Sequence, residues 1–229
     1  GILSGDIYIS RNNSEPFIVT DLYIKNSGFD DFKYAQTAFH GFLKNQIITI
    51  DKFASSNDTS SFNISGSIEL NNDLQLSPYD NVQFSVSVLN LDVSHLNRYL
   101  PWSFYVGGSL NSDISISGKL NDIEFNLNPT IINPEFDKIV GNEMFGKVSY
   151  RNNRVHFSNL VYKNDFGEYN LFGSLPANLD YFNDENINTK PIYIDISAKS
   201  NSLELLTPYF SFIKKLDWSR YHLSISFII

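Results

Sequence analysis

The chain repeats its own pattern at an interval of about 107 residues. The segment DIYIS at 6–10 returns as DISIS at 113–117, which is 107 positions later. The segment NISGSI at 63–68 returns as NLFGSL at 170–175, at the same offset of 107. Self-similarity at a fixed period is typical of structures that grow by adding units, each of which contacts its neighbours. The repeat therefore predicts a scaffold or a conduit rather than one unrepeated catalytic constellation.

Within each repeat the dominant hydrophobic period is two. Residues 122–128 (DIEFNLN) alternate apolar and polar side chains without a fault, and so do 83–88, 192–197 and 222–227. Strict alternation indicates strands with one dry and one wet face, joined by Asn-, Asp- and Gly-rich turns. Arg151–Arg154, with Asn-Asn at its centre, predicts a tight hairpin. We therefore expect an all-β, elongated antiparallel sheet.

Two short stretches break this period and predict helical plugs. Apolar residues at 93, 96 and 100 follow a helical stripe that ends at Pro101, and 203–210 repeats the stripe at an offset of 110. Each would be one or two turns long and would need packing on the sheet to be stable. We predict one continuous β-repeat segment over 1–229, with units at roughly 6–112 and 113–221 and a third starting at 222.

Composition excludes several classes of function. The net charge of −8 disfavours nucleic acid and anionic membrane surfaces, both of which attract basic faces. With 42% hydrophobic residues the chain can bury a core, and without cysteine it has no disulfide and no thiolate site. The chain opens at Gly1 and stops at Ile229 within an alternating run, which we interpret as a piece of a longer protein. Its targeting information would then lie outside these residues.

Catalytic and metal-binding motifs are absent from the sequence. It contains no nucleophile elbow, no phosphate-binding loop and no dinucleotide fingerprint. The four histidines, at 40, 95, 156 and 222, are dispersed without ligand-like spacing. We therefore expect a protein that is not an enzyme, with no cofactor and no metal.

The order of these sequence elements resembles that of a known protein family. A strand ending in LDVSHLNRYLP (91–101) is followed by VGGSLNSDISISGKLND (106–122), by the hairpin GKVSYRNNRVHFSNL (146–160) and by YNLFGSLPANLD (169–180). This cadence resembles the repeats of the AsmA-like and TamB-like proteins of Gram-negative envelopes, the second of which form the translocation and assembly module. The likeness covers nearly the whole chain and is densest from Val82 to Asp180. The likeness consists of recurring glycines and alternating apolar residues.

The resemblance implies a sheet curled into an open apolar groove of the β-taco type, which carries phospholipid between the inner and outer membranes or supports outer-membrane assembly. It implies a periplasmic protein anchored in the inner membrane by a segment outside this chain. It also implies an outer-membrane β-barrel partner, contacted through regions absent here.

The alternating apolar pattern suits the energetic requirements of lipid transport. Moving a sixteen-carbon acyl chain through water costs about 12 kcal/mol, at about 0.8 kcal/mol per CH₂. A conduit therefore needs a continuous dry strip with uniform binding and no deep trap. Plain apolar residues on the dry faces of the strands supply such a strip. The residues predicted to line it and to contact phospholipid acyl chains are Phe84, Val86, Val88, Ile114, Ile116, Ile123, Phe125, Leu127, Ile194 and Ile196.

Alternation alone leaves a second interpretation open. The same residues would form the core of a closed β-sandwich, because both architectures have one dry face. The chain would then be a surface or secreted β-repeat adhesin or a carbohydrate-binding module. Such a module should be lipid-free and indifferent to hydrophobic dyes, whereas a conduit should bind them and copurify with phospholipid.

Overall fold

The predicted all-β, antiparallel class is confirmed. A computed structural model describes residues 1–12, 15–29, 32–98, 105–137, 139–165, 167–177, 192–198 and 222–227. The strands are β1 (Ile2–Asn12), β2 (Glu15–Phe29), β3 (Phe32–Lys44), β4 (Ile47–Ser56), β5 (Ser61–Glu69), β6 (Asn81–Asp92), β7 (Val106–Lys119), β8 (Asp122–Leu127), β9 (Thr130–Phe136), β10 (Ile139–Val140), β11 (Glu143–Arg151), β12 (Arg154–Asn164), β13 (Gly167–Pro176), β14 (Ile192–Ala198) and β15 (His222–Phe227).

The chain folds into two compact units. Unit 1 contains the described residues of 1–91 and 113–125, and unit 2 contains those of 92–112, 126–178 and 184–229. In unit 1 the strands β1 to β6 lie side by side in sequence order, each antiparallel to the next. In unit 2 the strands β11 to β15 do the same, and β9 pairs with β7, β10 and β11.

Alternating burial follows from the alternating sequence. Along β6 the polar residues Asn81, Gln83, Ser85 and Ser87 are exposed, while the apolar residues between them are buried or half-buried. β8 shows the same alternation throughout its length. Successive side chains of a strand point to opposite faces, so the period of two in the sequence becomes one apolar and one polar face.

Asparagine recurs at positive-φ positions that lie 107 residues apart. The turns Asn45–Gln46 and Asn152–Asn153 both have two residues with φ between 50° and 63°, as two-residue hairpins require. Asn26 and Asn133 have φ values of 52° and 50° inside or beside their strands. Asn tolerates this left-handed region better than other non-glycine residues, which accounts for its abundance in the turns. The predicted hairpin at 151–154 is confirmed by the pairing of Arg151 with Arg154.

The strand register also recurs at this interval. In each unit one strand carries one extra residue at a β-bulge, where two of its residues lie opposite one residue of the strand that follows it. The pairs that flank the bulge are Ile50–Gly66 and Phe53–Ile64 in unit 1, and Phe157–Gly173 and Leu160–Leu171 in unit 2. Each residue of the second set lies 107 positions after its counterpart. The boundaries of the sequence repeats, 6–112 and 113–221, stay a prediction.

The described part of the helical stripe predicted at 93–100 forms a short helical element. It is a 3-10 helix over Val93–Arg98, tied to the start of β7 by Asn97. The Asn97 side chain accepts a hydrogen bond from the Val106 amide and donates one to the Val106 carbonyl, both at 2.7 Å. A segment this short makes too few α-helical hydrogen bonds to offset nucleation, so the tighter turn forms instead. The second predicted plug, 203–210, lies outside the described residues.

Candidate apolar binding site

Cross-strand pairing brings the apolar side chains of unit 1 into rows on one face, here called the inner face. Register places the residues of each row directly opposite one another on β2, β3, β4, β5 and β6. The first row consists of Ile24, Thr37, Ser55, Phe62 and Val88, and the second of Leu22, Phe39, Phe53, Ile64 and Val86. With strands about 4.8 Å apart, each row is roughly 19 Å long.

A cavity of about 590 Å³ opens on this face. The described residues of its lining include no charged side chain and are Ile24, Ser27, Gly28, Tyr34, Thr37, Phe53, Ser55, Phe62, Ile64, Val86, Val88 and Leu91. The volume lies within the range of about 300–1,000 Å³ that small-molecule sites occupy in proteins. The cavity therefore has the size and the chemistry of a site for an apolar ligand.

Aromatic rings form one wall of the cavity. Tyr34 and Phe53 both meet Phe62 edge to face, with ring centroids 5.2 and 5.5 Å apart, and Phe39 meets Phe53 at 6.2 Å. Such pairs add about 0.5–1.5 kcal/mol each beyond their buried area. Burial raises the pKa of the Tyr34 phenol, so this ring stays neutral at physiological pH. The wall is therefore aromatic and uncharged.

Three hydroxyls cross the cavity floor and satisfy one another. Ser55 and Thr37, which are 3% and 7% exposed, hydrogen bond to each other, and Thr37 also bonds to Ser27. Ser27 donates to the Tyr34 carbonyl oxygen at 3.5 Å. Since each hydroxyl has one proton, the Ser27 bond fixes the direction of the row from Ser55 to Thr37 to Ser27. No hydroxyl proton of the row needs a ligand partner, so a hydrocarbon can lie on it without leaving a donor unsatisfied.

The inner face of unit 1 is only partly covered. Ile24, Phe53, Phe62, Ile64 and Val86 are all half-buried. On β1, the inner-face residues Leu3, Ile7 and Ile9 are 62–70% exposed. In a closed sandwich, side chains from a second layer interdigitate with such a face and bury it. The inner face therefore retains apolar surface that a ligand could cover.

The corresponding row of unit 2 is filled by its own side chains. Ile131, Met144, Tyr162 and Tyr169 pair in register and lie 107 residues after Ile24, Thr37, Ser55 and Phe62. Met144, Tyr162 and Tyr169 are 9%, 3% and 0% exposed and form a buried cluster with Leu160. Burial and the neighbouring Tyr169 raise the pKa of Tyr162 to about 12.

The structure brings some of the predicted groove residues together and separates others. Val86 and Val88 line the cavity, and Phe84 lies on the same face, with its ring over Gly66. The remaining residues are not part of this cavity lining. Six of them are half-buried and lie on strands that alternate apolar and polar residues: Ile114, Ile116, Ile123 and Phe125 in unit 1, and Leu127 and Ile194 in unit 2. Ile196 pairs with Leu171, and its side chain is not among those that the structure describes.

The sequence prediction missed the part of the cavity formed by β2 to β5. The bulge at Asp51–Lys52 shifts the alternation of β4, so Ile50 and Phe53 share a face although they are three residues apart. In β2 the opposite face also carries the apolar residues Val19 and Tyr23, which hides the period. Two consecutive polar residues between apolar-alternating runs are the signal that would have located the bulge.

Comparison with protein-family models, with curated proteins and with solved structures finds no match to this chain. Among the residues that the structure describes, no helix has the length and apolar character needed to cross a membrane. The same part of the chain contains no group of three His, Asp or Glu side chains placed to hold a metal ion.

Proposed function

We propose that the unit 1 cavity binds the acyl chain of a phospholipid, and that the chain belongs to a non-enzymatic TamB/AsmA-like protein that moves phospholipid between the inner and outer membranes. The observation that carries this proposal is the uncharged cavity of about 590 Å³ on a half-buried apolar sheet face.

The energetics of the cavity support an acyl occupant. Each methylene that leaves water for an apolar surface gains about 0.8 kcal/mol. The hydroxyl row on the floor is already hydrogen-bonded, so its burial under hydrocarbon carries no penalty for a lost donor. With no charged side chain in the lining, nothing there favours a ligand whose charge enters the cavity.

The half-buried state of the inner face favours this proposal over an adhesin or carbohydrate-binding module. Those alternatives were predicted on the assumption of a closed core. In unit 1 the residues Phe53, Phe62 and Val86 retain exposed area. A sugar would also bring several hydroxyls, whereas the Ser27, Thr37 and Ser55 hydroxyls of the lining already bond within their own row.

The test is site-specific photo-crosslinking on neighbouring strands. Benzoylphenylalanine replaces Tyr34, which lines the cavity, or Tyr23, which lies on the opposite face one residue before Ile24. Both are tyrosines, so the two variants make similar changes in side-chain size. Each purified variant is incubated with phosphatidylethanolamine–phosphatidylglycerol vesicles, irradiated, separated from the vesicles and analysed by mass spectrometry.

The proposal predicts phospholipid adducts from position 34 and few or none from position 23. Equal adducts at both positions would mean adsorption to vesicles rather than binding in the cavity. An absence of lipid adducts at position 34 would contradict the proposed function and leave the inner face as a packing surface.

A further inference from the structure

The two units have the same register but distribute one tyrosine differently. Unit 1 has Tyr34 on β3 and Ser55 on β4. The residues 107 positions later are Gly141, just before β11, and Tyr162 on β12. The tyrosine therefore stands at the first of these two positions in unit 1 and at the second in unit 2.

The exchange is compensated in unit 2 by a close fit. A Cβ built on Gly141 would lie 2.6 Å from the Tyr162 ring, so the ring occupies the space that a larger residue at 141 would need. Tyr162 also packs on Tyr169 and Phe136, with ring centroids 6.2 and 6.3 Å away. In unit 1 the position of Tyr162 is held by Ser55, on the cavity floor.

A second difference between the units also places a larger side chain in the row of unit 2. Thr37 lines the unit 1 cavity, and its counterpart Met144 is buried in the unit 2 cluster. Replacing Thr and Ser by Met and Tyr adds apolar volume at two adjacent positions of one row. Because the backbone pairing along this row is the same in both units, the larger side chains at these two positions contribute to filling the row in unit 2.

We propose that Ser55 and Tyr162 determine which unit accepts an acyl chain: unit 1 holds one, and Tyr162 occupies the equivalent place in unit 2 as a built-in substitute. This inference rests on the proposed function and names the residues that set its specificity.

The test moves the tyrosine, inside each unit, from one of these two positions to the other. In unit 1, Tyr34→Gly with Ser55→Tyr copies the arrangement of unit 2. In unit 2, Gly141→Tyr with Tyr162→Ser copies that of unit 1. Each full-length variant is incubated with palmitic acid carrying a diazirine in its tail, irradiated, digested and mapped by mass spectrometry. Circular dichroism and hydrogen exchange report whether the fold is retained.

The wild type should carry adducts in peptides from 24–64 and few in peptides from 131–171. The unit 1 exchange should lower the 24–64 adducts about tenfold or more, since each methylene returned to water weakens binding about fourfold. The unit 2 exchange should create adducts in 131–171. Thr37→Met, a smaller change, should lower the 24–64 adducts in part and covers the case in which the double exchange in unit 1 does not fold.

The failures are distinguishable. If the wild type carries no adduct in 24–64, both the proposed function and this inference are wrong. If the wild type is labelled there but both Thr37→Met and the folded unit 1 exchange keep wild-type labelling, only this inference is wrong. Labelling of wild-type unit 2 equal to that of unit 1 would also overturn it.

Discussion

Replacing Tyr162 by Phe should stabilise the protein, although Tyr162 lies in its most buried cluster. The side chain is 3% exposed, and its hydroxyl has no hydrogen-bond partner among the residues that the structure describes. A buried polar group without a partner costs about 1–3 kcal/mol, and Phe removes that group while keeping the ring. We expect the free energy of unfolding to rise by about 1 kcal/mol and the melting temperature by about 2–4 °C.

A second buried tyrosine provides the matched control. Tyr150 is 1% exposed, and its hydroxyl donates a hydrogen bond of 3.0 Å to the side-chain oxygen of Asn153. Tyr150→Phe removes the same atom but leaves the Asn153 acceptor without this donor, so it should lower the free energy of unfolding by about 1 kcal/mol. Thermal and urea unfolding followed by circular dichroism compare both variants with the wild type.

The pH dependence of Tyr162→Phe tests the same reasoning. The pKa of Tyr162 is raised to about 12 in the folded protein, chiefly by burial and then by Tyr169, from a usual value of 10.0. Between pH 10 and 12 the unfolded chain loses this proton while the folded chain keeps it, so the stability of the wild type falls as the pH rises. The advantage of Tyr162→Phe should therefore grow from pH 9 to pH 11. If Tyr162→Phe is less stable than the wild type, the hydroxyl has a partner; if its advantage does not grow with pH, the pKa of Tyr162 is not raised in the folded protein, and either result refutes the reasoning.

Substitutions at four further positions test the local geometry by urea unfolding. Gly141→Ala should cost about 1–3 kcal/mol, because its Cβ would lie 2.6 Å from the Tyr162 ring, and most of the loss should disappear in a Tyr162→Ser background. Asn152→Ala should cost about 1 kcal/mol at φ 52°, whereas Asn152→Gly should be nearly neutral; equal losses would mean that the asparagine side chain, not the backbone, stabilises the turn. Gly66→Ala and Gly173→Ala should each cost more than about 1 kcal/mol, since both φ values are positive and each Cβ would lie 2.1 Å from a carbonyl oxygen of the next strand; a tolerated alanine at either position would contradict this register.

The strands with unbroken alternation could be predicted from the sequence because one physical rule governs them. In β6 and β8 each apolar residue is followed by a polar one, so the face of every side chain follows from its position. The hairpin at 151–154 was equally accessible, because its two central asparagines suit positive φ.

The cavity could not be predicted, because it depends on register rather than on periodicity. From the sequence, Ser55 is an ordinary polar residue near the end of a strand, and only its pairing with Thr37 and Phe62 places it on the floor of the cavity. The bulge at Asp51–Lys52 moves Phe53 and Ser55 to the face that a continuous alternation would assign to their neighbours. A bulge is a property of two strands together, so inspection of one strand does not reveal which face results.

The comparison of the two units bears on how a repeated sheet can carry function. We expected a conduit to present the same apolar surface in every repeat, because a deep local site would trap its cargo. The two units share hairpins, bulges and register at an offset of 107, yet Ser55 and Thr37 leave their row open while Tyr162 and Met144 fill theirs. Backbone hydrogen bonds fix the register without regard to side-chain volume, so coupled substitutions such as Ser to Tyr at one position and Tyr to Gly at its neighbour can change how completely a row is filled without changing the fold. A repeat of this kind can therefore vary its binding properties from unit to unit while its architecture stays constant.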